Sequence, residues 1–147
     1  MKLVTTRRVL ILTLLTIVGM GSYVVYFTQV VNPRVMHELQ AEPDGERAQR
    51  VLRLTLPNGK TLPINYLREG ETVYLGADFG WWKAIDASGT PVELLLRGQV
   101  RRGMARVVLD DPQRTKSVFA RLRPSAPAWL PAWLNGKLVV IDLDQEQ

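Results

Sequence analysis

The sequence predicts a mainly β protein: a small antiparallel β-barrel with two short helices, preceded by one N-terminal transmembrane helix. Three observations predict it. Val9 to Val31 carries no charge and is long enough for the roughly 20 apolar residues that cross a bilayer as a helix. Beyond it, short runs alternate apolar and polar residues between turn signals, the period-two pattern of half-buried strands. Helical patterning appears only twice among those runs, too seldom for a doubly wound sheet, whereas closing an antiparallel sheet hides its edges.

Residues 1–8 form a short basic segment, MKLVTTRR, and residues 9–31 the anchor. Tyr23, Tyr26 and Phe27 lie toward its far end, where aromatic rings favour the membrane interface. Gly19-Met20-Gly21-Ser22 resembles a small-residue cleavage site, so a cleaved signal peptide is the rival reading. The apolar run continues well past it, which favours retention. Lys2, Arg7 and Arg8 precede the span, and acidic residues dominate just after it. The positive-inside rule then expects a single-pass protein of the cell membrane, with the N-terminus cytoplasmic and the soluble domain outside. Residues 32–49 read as a charged, proline-containing linker with one helical turn. Its His37 is the chain's only histidine and has no partner for a metal site.

Residues 50–147 make the barrel domain. Arg50–Leu56 alternates, and Pro57-Asn58-Gly59-Lys60 follows; Asn-Gly is the strongest short hairpin signal. Thr61–Leu67 returns, Arg68-Glu69-Gly70-Glu71 turns again, and Thr72–Ala77 is a third strand. A short helix is expected in the tryptophan segment from Phe79 to Pro91. Pro91–Gly98 and Val100–Asp110 form the next pair, with a bend expected at Gly103. Asp111 reads as an N-cap with Pro112 at the first helical position, and Val118, Phe119 and Leu122 share one face of the helix that follows. Lys137–Asp144 is the last strand.

Composition narrows the chemistry. The 147 residues include no cysteine, which excludes disulfides, thiol catalysis and cysteine-ligated metal centres. The net charge of +5 is modest, its arginines are dispersed through strands, and no aromatic-interleaved basic motif is present, so nucleic acid is not an expected partner. Asp78-Phe79-Gly80 spells a kinase tripeptide, but the chain lacks a catalytic loop. Glu69, Glu71, Asp110 and Asp111 fall in turns with nothing pairing them for acid–base work. The serines of the folded body have no histidine there to activate them.

Three stretches carry a family resemblance. Lys60–Gly80 joins a basic residue, a proline, a strand with an aromatic, an acidic-glycine turn and a strand ending near small residues. Trp81–Gly98 joins an aromatic-rich short helix to a strand that begins at a proline. Val100–Arg114 is a long strand running into an Asp-Pro helix start. From about Val51 to Leu143 the chain resembles the split β-barrels of the deazaflavin-dependent nitroreductase family, relatives of FMN-binding split barrels. The resemblance implies a split barrel that binds deazaflavin or FMN, or a quinone-like flat ligand, for redox transfer. Asn58-Gly59-Lys60-Thr61 stands where such proteins hold the cofactor's phosphates, and Lys60 matches the basic position. It also implies a possible homodimer.

The residues expected to hold a ligand are Lys60, Trp81, Trp82 and Lys83. Three readings of the tryptophan pair stand open: packing at the barrel mouth, stacking on a flat ligand, and contact with the membrane surface. Adjacent side chains diverge, so one indole is expected to face the mouth and the other packing or water. Arg102, Met104 and Arg106 share one strand face and Arg101 the other, as either a phosphate-binding stripe or a solvated outer face. Trp129 and Trp133 are expected to clamp an open barrel end or to touch lipid. Two functions remain in play: a flavin-like redox barrel with these ligand residues, and a cofactor-free, membrane-tethered interaction or scaffold module.

Overall fold

The computed structural model describes residues 2–127 and 136–145. It divides into two compact units, Met1–His37 and Glu38–Gln147. Trp129 and Trp133 lie outside the described residues.

The first unit is helical. Helix α1 spans Lys2–Tyr26, a π-helical turn spans Phe27–Val31, and helix α2 spans Asn32–Ala41. Thr6–Ala41 is long and apolar enough, by length and composition, to cross a membrane. The sequence suggests one helical turn after Val31, and the structure has ten residues of it. Pro33 explains the difference: it breaks a helix in the interior but not where the preceding turn is widened to accommodate its ring.

The second unit is a closed six-stranded antiparallel barrel. Its strands are β1 (Val51–Thr55), β2 (Thr61–Glu69), β3 (Thr72–Ala77), β4 (Thr90–Leu96), β5 (Gln99–Val108) and β6 (Lys137–Leu143), in the order β1-β2-β3-β6-β5-β4. The pairing of Arg53, Leu54 and Thr55 with Leu95, Leu94 and Glu93 closes it. Strand β2 bridges two halves: Thr61–Asn65 pairs with β1, and Tyr66–Glu69 pairs with β3. Pro63 therefore falls where β2 has a free side, which is where a strand tolerates a missing N–H. Strand β5 makes the same kind of transition, and Gly103 sits at it, opposite both Val92 and Leu143. A Cβ at Gly103 would lie 2.5 Å from the Asp142 carbonyl oxygen, so only glycine permits this approach.

Alternation decides the interior. Leu52, Leu54, Val73, Leu75, Leu94, Val139 and Ile141 point inward and are fully buried. Strands β3 and β6 are buried on both faces because helix α3 (Pro112–Leu122) covers their outer side. There Val118 and Phe119 pack with Tyr74, Leu138 and Val140. The Asp111 side chain accepts a hydrogen bond from the Arg114 backbone N–H at 2.9 Å and caps α3 as the sequence predicts.

Strands β1 and β5 start, and β2 and β4 end, at one end of the barrel. Residues from Glu38 to Arg50 pack there. Leu39 and Ala48 are buried, and the Tyr66 hydroxyl donates to the Ala48 carbonyl at 3.1 Å. Inward-facing Arg101 lies at the same end, only 10% of its side chain exposed. It donates to Glu71 at 2.7 Å and to the Asp144 carbonyl at 3.0 Å. Arg68 holds the other Glu71 oxygen at 2.9 Å.

The Arg101 hydrogen bond, helped by Arg68, holds the Glu71 carboxyl below its ordinary pKa. A carboxyl lowered on folding stabilises the barrel above its unfolded value and loses that contribution as pH falls through its folded value. The melting temperature should therefore drop as pH is lowered from about 5 to about 3. Glu71→Gln should flatten that slope while lowering stability at neutral pH. An unchanged slope in the variant would show that Glu71 does not govern it.

Candidate functional site

The opposite barrel end is built from the β1–β2 turn, the residues after β3, and the starts of β4 and β6. Antiparallel order puts Lys60, Trp81, Trp82 and Lys83 at this same end of the barrel, since β2 begins where β3 ends. Asp78 to Gly80 turns the chain sharply, and Phe79 and Gly80 both adopt left-handed backbone, with φ of 57° and 75°. A 3₁₀ turn, Trp81–Ala84, follows and lays the indoles across the barrel end.

Both indoles are half-buried, and both pack against the interior core. The turn lies at the end of the apolar core, and side chains that diverge along the chain still both reach it. The Lys83 ammonium sits 6.0 Å from the Trp82 ring centroid, at the outer reach of a cation–π contact, and the residue is exposed. Lys60 is also exposed.

The Asn58-Gly59-Lys60-Thr61 turn is not arranged as a phosphate cradle. Gly59 N–H donates to the Leu56 carbonyl at 2.9 Å, and Lys60 N–H donates to the Asn58 side chain at 3.0 Å. Anion cradles need convergent free N–H groups, and these two are committed within the turn. The Lys60 side chain is left as the turn's contribution to a ligand.

A strong feature of this end has no counterpart among the residues singled out from the sequence. Arg123, capping α3, holds Asp78 through two parallel bonds, Nη1 to Oδ1 at 3.1 Å and Nη2 to Oδ2 at 2.6 Å. Its guanidinium also stacks 5.1 Å from the Phe119 ring centroid. It occupies the space beside Gly76, where a Cβ would come 2.4 Å from Nη2. The turn is thus tied to α3 by a fork-shaped pair. Local sequence offers no signal for a partner 45 residues away. Phe79 is a second such feature: it is 98% exposed.

Two surface depressions among the described residues are not lined by Lys60, Trp81, Trp82 or Lys83. One, of about 400 Å³, runs along Pro57, Pro91, Glu93, Arg102 and Met104 on the outer face of β4 and β5. The other lies around Gln99 to Arg102 and Asp144 at the far end. Arg102, Met104 and Arg106 share the exposed outer face and Arg101 the inner one, as their alternation predicts. Arg102 and Arg106 face Glu93 and Asp142 at 3.9 and 3.5 Å, a solvated ion-pair ladder rather than an open basic stripe. No group of three or more metal-ligating side chains occurs among the described residues.

Because both indoles pack on the core, Trp81→Ala and Trp82→Ala should each destabilise the barrel, by about 2 kcal/mol for half-buried rings. Thermal melts of the two variants check this. A variant that melts like the parent would mark its indole as free for a ligand.

No protein-family model and no curated protein matches the chain. Among solved structures it is similar to a candidate 5-nitroimidazole antibiotic resistance protein from Bacteroides thetaiotaomicron. The identity is 15% and the TM-score 0.42, over 67% of this chain and 75% of that one. At that identity and TM-score the likeness carries no weight for function.

Proposed function

We propose that this chain is a membrane-tethered β-barrel interaction module whose working face is the barrel end bearing Lys60, Trp81, Trp82 and Lys83. The observation that carries this reading is that the ligand-holding elements are spent on the fold. The two N–H groups of the Asn58–Lys60 turn are bonded within it, and both indoles pack on the core. A six-stranded barrel filled with aliphatic side chains has no interior room for a flat cofactor; about eight strands are needed before a barrel encloses a small ligand. The opposite end is occupied by Glu38 to Arg50, while Lys60, Phe79 and Lys83 at the tryptophan end are exposed.

The second reading is a nitroreductase-like redox barrel that binds deazaflavin or FMN. Its support is the convergence of Lys60 and the Trp82–Lys83 pair on one barrel end. The protein would supply stacking and a cation for the phosphate, and the cofactor the redox chemistry. The absorption spectrum of membrane-extracted protein, followed by titration with FMN, separates the two. The interaction reading expects no near-stoichiometric flavin or deazaflavin chromophore and no saturable FMN binding. A bound chromophore that is lost in Lys60→Ala would install the redox reading in its place.

The tether is read as a retained signal anchor in the cell membrane, with the barrel on the outer side, on the strength of Lys2, Arg7 and Arg8 before the span. Protease added to spheroplasts should digest the barrel. Protection until lysis would reverse the orientation.

A further inference from the structure

In α1, α2 and the turn between them, the regular hydrogen-bond ladder is broken at one place. The backbone N–H of Asn32 bonds to the carbonyl of Phe27, five residues back, so Phe27–Val31 is a π turn. Pro33 follows directly. In a regular helix Pro33 would leave the Gln29 carbonyl without a donor, and its ring would press on that carbonyl. Widening the preceding turn relieves the clash and leaves the ladder interrupted. The Thr28 hydroxyl donates to the carbonyls of Val24 at 2.9 Å and Val25 at 3.2 Å, the same back-bond that Thr13 and Thr16 make earlier in the helix. The break falls where the charge-free run of the sequence ends. At its start, the Tyr23 and Phe27 rings meet at 4.8 Å in a tilted arrangement and Tyr26 meets Phe27 edge-on at 6.4 Å. Aromatic rings of this kind settle at the membrane interface.

We propose that Phe27 to Pro33 is a built-in swivel, placed at the point where the helix leaves the bilayer. Helices bend at prolines and π turns, because the missing bonds remove the main resistance to bending. The aromatic cluster pins the membrane side of the break. The apolar stretch then takes the tilt its bilayer demands without imposing it on the residues past Asn32. The swivel rests on the membrane-anchor reading.

The chain has no cysteine, so spin labels go only where they are placed. Labels at Leu15→Cys and Met36→Cys bracket the break, and a straight helix would hold those backbones about 32 Å apart. Double electron–electron resonance on the full chain in nanodiscs reads the distance distribution. The parent should give a distribution about twice as broad as Pro33→Ala, in which the α ladder is restored. Equal widths in the parent and Pro33→Ala, in chains that co-elute with nanodiscs, would overturn the swivel and leave the anchor standing. Failure to co-elute with nanodiscs would overturn the anchor, and the swivel with it.

Discussion

Closure of the sheet through β1 and β4 is the constraint on which the rest of this barrel depends. With that pairing made, every strand has two neighbours for at least part of its length, and one face of each strand must point into a narrow space. Only side chains can fill a six-stranded interior, so leucine, valine and isoleucine at alternate positions are required there. Tight curvature demands close backbone approach somewhere on the circuit. Gly103, where β5 passes from β4 to β6, is where that demand falls.

The two open ends are finished by different means. At one, Arg101 points inward and is neutralised by Glu71, while Ala48 and Tyr66 dock the residues that lead into β1. An inward arginine is tolerable there because it is paired and at the rim rather than in the middle of the core. At the other, two indoles lie across the core, and the turn that delivers them is fastened by Asp78 and Arg123. That fastening is a bidentate charge-assisted pair stacked on an aromatic ring, so the turn is held more rigidly than its loop character suggests. It carries the exposed Phe79 and the Lys83 ammonium with it.

Much of the element order is legible in the amino-acid sequence. Alternation marks the strands, Asn58-Gly59 marks the first hairpin, and Asp111-Pro112 marks the start of α3, because each is local physics. The division of Arg101 from Arg102 and Arg106 is also legible, since a strand's side chains alternate whatever its partners are. The candidate site is less so. Lys60, Trp81, Trp82 and Lys83 do share one barrel end, but nothing local reveals that both indoles pack on the core. Asp78 and Phe79 read along the chain only as part of a misleading tripeptide, because the arginine that gives Asp78 its role is supplied by a distant helix end.

What the sequence determined by itself is set by periods of two and of 3.6 residues, by caps and turns, and by a run of apolar residues long enough to cross a bilayer. These need only neighbours along the chain. What only the tertiary structure decided is which distant segments meet: β3 with β6, β1 with β4, Glu71 with Arg101, Asp78 with Arg123. The physical reason is that such contacts are consequences of closure. A carboxylate in a turn becomes half of an ion pair, and a tryptophan becomes part of a core, only after the sheet has curled far enough to bring the other half beside it.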